Sequence, residues 1–239
     1  EIIDYETESY IKKINQEILS VNNYEKEINF KIIIDRNPNA FINQDNILFI
    51  SSGLIIDSPD YVAFLGVLAH EIGHLEKYHI SKRKESIQSL KSINALGNLS
   101  IIAGSLISNN PEMMSALAVN QVGINNFYLG FSKDQEREAD YYAIETLNKL
   151  SLSSNSIIKL LQILESNAIN RGISEELQKF STHPIFKERY QIITEKKIDK
   201  KNKFNEKLND EFNFIKAKFL GYSEIEGNFS FKKYHQEYY

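Results

Sequence analysis

Apolar residues along this chain follow helical spacing nearly everywhere and give way to short β-branched runs only between residues 30 and 51. Ile11, Ile14, Ile18 and Val21 lie on one stripe and predict an amphipathic first helix. The isoleucine-rich run 30–35 predicts a strand, which Asn37-Pro38-Asn39 breaks. Residues 40–43 and 47–51 read as two more strands, joined by the polar turn Gln44-Asp45-Asn46. From Tyr61 onward the pattern is helical. Val62, Leu65, Leu68, Ala69, Ile72 and Leu75 mark a buried helix, expected to continue with a polar face through Lys82 and Lys84. Further helices are predicted over 95–108, 111–122, 133–150, 156–167, 186–196 and 204–220.

These elements predict an α+β fold, predominantly helical with a small mixed β-sheet. At 239 residues the chain is long enough for one sizeable core. We divide it into a main domain over 1–195 and a C-terminal helical extension over 196–239 that packs on it. The lysines crowded between 196 and 207 read as a solvated linker or exposed helix face. A net charge of -4 gives no reason to expect nucleic acid as a partner. With no cysteine, a thiolate metal site, a disulfide frame and a cysteine nucleophile are excluded. No uninterrupted apolar run reaches about 18 residues, so no membrane span is expected. The region 95–123, rich in small and apolar residues, is the candidate for a peripheral membrane contact. A chain that opens at Glu1 without methionine is expected to have lost a leader.

One string inside the buried helix moves the reading from fold to chemistry: residues 70–74 are His-Glu-Ile-Gly-His. Residues four apart share a helix face, so His70 and His74 can offer two imidazole nitrogens to one metal ion. Glu71 then stands within reach of a water on that metal. Zinc lowers the pKa of such a water towards ~7 and polarises a carbonyl, while the glutamate takes the proton and passes it to a leaving amine. That is peptide-bond hydrolysis. Two histidines and a glutamate are costly to bury without a partner, which argues against a mere pair of core histidines.

A catalytic zinc needs a third protein ligand. His79 lies about half a turn from His70 on a continuous helix, at roughly 100° per residue, and misses the HExxHxxGxxH spacing by one position. It is read as structural. The string Ser132-Lys-Asp-Gln-Glu-Arg-Glu-Ala-Asp140 is the better source, with Ser132 as helix cap. Glu136 and Asp140 share a face there, whereas Glu138 points about 200° away, towards solvent. Glu136 is assigned as the third ligand and Asp140 as acceptor of a ligand histidine's ring N–H. Ala139 and Ala143 beside them let two helices approach closely.

Four ordered blocks resemble the HtpX and CAAX-prenyl-protease-like zinc metallopeptidases, a gluzincin family that includes periplasmic BepA-type proteases. The blocks are Asn39-Ala40-Phe41 with residues 47–54, His70 to His74, Glu136 to Asp140, and Ser181-Thr182-His183-Pro184 followed by Arg189. The resemblance implies a zincin-like domain with one zinc ion per chain on His70, His74 and Glu136, Glu71 as general base, and Asp140 orienting a ligand. It also implies that His183 and Arg189 lie at the cleft, where an imidazole or a cation stabilises the tetrahedral oxyanion. In BepA-like relatives the matching histidine can occupy the open zinc position, which makes His183 a candidate switch.

By the same resemblance, Ile47, Leu48, Phe49, Ile50 and Ser51 would form the edge strand that borders the cleft and pairs with an extended substrate. Residues 95–123 would be a lid. The implied activity is endopeptidase cleavage of unfolded or misassembled proteins in the bacterial periplasm or cell envelope, by a soluble or peripherally membrane-associated enzyme. A second reading keeps zinc and the edge strand in a chaperone-like assembly factor whose site is latched by His183.

Overall fold

The computed structural model describes residues 4–43, 45–79, 133–170, 187–195 and 203–223. Asp4 accepts the Thr7 backbone N–H and so starts α1 (Tyr5–Val21), whose apolar stripe buries Tyr10, Ile11, Ile14 and Ile18. Three strands follow, β1 (Asn29–Ile33), β2 (Ala40–Ile42) and β3 (Ile47–Ser51). The β2–β3 turn is built by Asn43, whose side-chain oxygen accepts from the N–H groups of Asp45 and Ile47. Asn46 completes it with a left-handed φ of 57°. The short α2 (Ser52–Asp57), capped by Ser51, leads to α3 (Tyr61–Glu76), capped by Asp60. The described residues continue in α4 (Lys133–Leu150), α5 (Asn155–Asn170), α6 (Lys187–Glu195) and α7 (Glu206–Ser223). Those last four match the predicted helices to within about three residues at each end.

The sheet is small and mixed, as the pattern predicted, with strand order β1-β3-β2. β3 runs parallel to β1 and antiparallel to β2. It is therefore the central strand, which corrects the expectation that residues 47–51 form an edge. Their backbone is paired on both sides, and Leu48 and Ile50 are fully buried. The hairpin partner of β3 is legible from turn chemistry, whereas the parallel addition of β1 is a long-range pairing with no local signal. Of the two flanking strands, β2 is the one packed against α3.

α3 runs through the middle of the core, touching α1, α4, α5, α7 and β2, and is buried nearly all round. Phe212 of α7 packs on Tyr10 and Phe64, with ring centroids 6.0 and 5.3 Å apart. Buried polar groups tie the same elements together: Tyr10 Oη donates to the Leu208 carbonyl, and Tyr61 Oη accepts from the Asn205 N–H. Full burial of one Leu, Ile or Phe contributes about 1.5–3 kcal/mol, so a helix seated in so many of them is a rigid mount for its own side chains. Among the described residues no helix is long and apolar enough to cross a membrane.

The end of α3 departs from expectation. The helix stops at Glu76 instead of continuing through Lys82 and Lys84; Lys77 caps it and Tyr78 turns the chain with a left-handed φ of 57°. A left-handed helix terminus is usually signalled by Gly or Asn, and tyrosine at that place gives no such sign. The helices predicted over 95–108 and 111–122 lie outside the described residues, as do the Ser132 cap, the membrane-contact and lid candidate 95–123, and His183.

Candidate metal centre

α3 and α4 meet along small residues. A Cβ on Gly73 would stand 3.0 Å from Tyr142 Cβ and 3.2 Å from Ala139 Cα, so a larger residue would make Tyr142 or α4 give way by a few tenths of an ångström. Ala139 and Ala143 are buried in the same seam. Three side chains converge where the helices cross. His70 Nε2 lies 3.3 Å from Glu136 Oε2, His74 Nε2 lies 3.3 Å from Glu136 Oε1, and the two ring nitrogens are 3.1 Å apart. All three residues are buried, with candidate ligand atoms within 4.8 Å of one another.

Two imidazole nitrogens and a carboxylate oxygen are a donor set that fits a divalent transition metal. Two bare Nε2 lone pairs at 3.1 Å repel each other, so the cluster needs a cation or a shared proton. The outer face of His70 supports the same arrangement. Its Nδ1 stands 2.9 Å from Asp140 Oδ1, which keeps the ring proton on Nδ1 and turns the Nε2 lone pair to the cluster. Arg189, from α6, holds Asp140 in turn: Nε donates to Oδ2 at 2.8 Å and Nη2 to Oδ1 at 2.7 Å. Its Nη1 lies 3.3 Å from Glu136 Oε2, so one guanidinium grips both carboxylates.

The charges are strongly coupled. Burial disfavours protonated His70, but hydrogen bonds to Asp140 and Glu136 and their charges outweigh it, and the metal-free ring is pushed up to about 9. Burial works against ionised Asp140 as well; the Arg189 charge and the His70 ring overcome it and hold the carboxyl below the ordinary carboxylate range. Arg189 is raised further above its usual value despite its burial, chiefly by Asp140, then by Glu136 and Glu71.

Glu71 is buried on α3, one step round from His70. Arg189 is buried too and engaged by carboxylates, which differs from the expected cation facing an oxyanion. The strand residues expected to bind substrate are likewise committed elsewhere. Ser51 Oγ accepts from the N–H groups of Asn39 and Leu54, and Leu48 and Ile50 belong to the core.

One pair escaped the sequence reading. The turn at Tyr78 brings buried His79 back under the helix, with Nδ1 3.0 Å from His74 Nδ1. Glu138, expected to face solvent, has a side chain 53% exposed, yet its Oε2 lies 3.1 Å from His79 Nε2. The angle that set His79 aside applies only to an unbroken helix.

The model of peptidase family M48 matches residues 6–197. The putative beta-barrel assembly-enhancing protease of Vibrio cholerae is 26% identical over 184 residues, which cover 75% of this chain and 37% of that protein. The metalloprotease YcaL of Escherichia coli is 27% identical over 175 residues, 71% of this chain and 62% of its own length. The mitochondrial metalloendopeptidase OMA1 of Schizosaccharomyces pombe is 23% identical over 190 residues, with coverage of 79% and 52%. The chain therefore spans less than two thirds of the length of each of these relatives. Because the family match covers most of the chain and runs through both helices of the buried cluster, the chain belongs to peptidase family M48.

Proposed function

We propose that this chain is a zinc endopeptidase that cleaves unfolded or misassembled proteins of the bacterial periplasm or cell envelope. The observation that carries the reading is the buried convergence of His70, His74 and Glu136. Two histidines and one carboxylate, with a fourth position left open, are a known ligand set of catalytic zinc. Zinc, when bound, acidifies water towards a pKa of ~7 and polarises the scissile carbonyl. His70 and His74 would hold it through Nε2, and Glu136 through a carboxylate oxygen. Glu71 is the general base, taking a proton from the attacking water and passing it to the leaving amine nitrogen.

The remaining residues prepare the ligands. Asp140 keeps the proton of His70 on Nδ1, and Arg189 keeps Asp140 ionised and aimed. Arg189 thereby acts through Asp140, and stabilisation of the oxyanion falls to His183. We assign substrate pairing to β2, the strand beside α3. An extended peptide added there binds through main-chain hydrogen bonds, with little sequence preference, as suits unfolded chains. Relatives named for beta-barrel assembly support misassembled envelope proteins as the substrate class.

Metal analysis of the purified protein is expected to find one zinc per chain. Glu71→Gln is expected to keep that zinc while abolishing casein cleavage. Cleavage retained by the variant would overturn the role of Glu71, and a wild type that binds no zinc would overturn the whole reading.

A further inference from the structure

We infer that His79 and Glu138 form a positioning pair that sets the tautomer of His74, giving each metal-facing histidine its own relay. The inference rests on the zinc reading above and assigns work to two residues that the ligand set leaves unused. His70 is held by Asp140, itself held by Arg189. His74 is held by His79, itself held by Glu138.

The protons fix the direction of the second relay. To present a lone pair at Nε2, His74 must carry its one ring proton on Nδ1, and that proton needs an acceptor. The atom 3.0 Å away is His79 Nδ1. A neutral imidazole accepts at Nδ1 only when its own proton is on Nε2. His79 Nε2 lies 3.1 Å from Glu138 Oε2, and an ionised carboxylate accepts but never donates. The carboxylate therefore sets His79 as the Nε2–H form, which sets His74 as the Nδ1–H form. What remains is a lone pair on His74 Nε2, directed at His70 Nε2 and Glu136. The opposite assignment would place two lone pairs or two N–H groups against each other at one of the contacts.

The rings have no freedom to evade this. His74 and His79 are 0% and 1% exposed and meet edge to face, with centroids 5.2 Å apart at 67°. Two devices bring the parts together. The left-handed Tyr78 returns His79 to the helix it has just left, and α4 carries Glu138 two positions after the ligand Glu136. Docking of α4 on α3 thus delivers a ligand and an outer acceptor at once.

The test is zinc affinity, by competition with a chromophoric chelator, together with the visible absorption of the cobalt(II)-substituted protein as a report on ligand geometry. The half-exposed Glu138 side chain can be changed without opening the core. Glu138→Gln keeps an acceptor oxygen for His79, and Glu138→Leu removes it. Glu138→Leu is expected to weaken zinc roughly tenfold and alter the cobalt bands, with Glu138→Gln within about threefold of wild type. His79→Leu is expected to lose about 10–100-fold, and His79→Asn, whose amide oxygen can replace Nδ1, to recover most of it. Wild-type affinity in both leucine variants, or equal losses in each pair, would overturn the relay. A wild type that binds no zinc would instead overturn the function on which the relay rests.

Discussion

Arg189 grips Asp140 through both carboxylate oxygens, and the Oδ1 that receives Nη2 at 2.7 Å also receives His70 Nδ1–H at 2.9 Å. This geometry couples the docking of α6 to the orientation of a metal-facing histidine. The fork is planar and its charge is permanent, so lysine could not replace it at two oxygens at once.

Removing one partner of that pair leaves the other charged in the core. Arg189→Met is expected to destabilise the metal-free protein by about 3–5 kcal/mol, read from urea unfolding. A loss of about 1 kcal/mol or less, the scale of an exposed ion pair, would contradict a buried clamp.

Glu136 is the anionic member of the cluster. Glu136→Gln preserves shape and removes the charge, and is expected to leave the protein folded by circular dichroism but with well under one metal per chain after dialysis. Full occupancy in the variant would mean that another carboxylate is the ligand.

The charge coupling has a pH signature in the metal-free protein. His70 sits at about 9 in the folded state against 6.5 for the free side chain, so its contribution is complete below pH 6.5 and disappears as pH rises through 9. Asp140 has the opposite sign: lowered from 3.8, it contributes above that value and loses its contribution as pH falls below it. Resistance to urea is expected to be greatest between pH 3.8 and 6.5 and to fall towards pH 9 as far as these two groups decide it. On the zinc proposal the metal would take the place of the His70 proton, so saturation with zinc is expected to abolish the alkaline decline. A metal-free profile flat from pH 6 to 10 would rule out the coupling.

The α3–α4 seam is tight at Gly73, where an added methyl group would meet Tyr142 Cβ at 3.0 Å and Ala139 Cα at 3.2 Å. Gly73→Ala is expected to lower stability by about 1–3 kcal/mol through overpacking, measured by thermal unfolding. It is also expected to weaken metal binding, because the proposed ligands His70 and His74 sit on one side of the seam and Glu136 on the other. Wild-type behaviour would show that Tyr142 can yield the few tenths of an ångström required.

Much of this was legible along the chain because helix periodicity is local. His70 with His74, and Glu136 with Asp140, share faces by spacing alone, and α4 was predicted over the residues it occupies. The apolar stripes of α1 and α5 and the hairpin of β2 and β3 were readable for the same reason. Each signal lies within a few residues of its effect.

What the sequence determined by itself was the chemistry on offer: two histidines, a base and a carboxylate on helices able to approach closely. The tertiary structure alone decided who holds whom. β3 became central because β1 paired with it across the hairpin, His79 reached His74 because a tyrosine adopted a left-handed turn, and Arg189 met Asp140 because α6 docked on α4. Spacing sets directions within one element, but the distance between elements depends on how the whole core packs, and no short window of residues contains that.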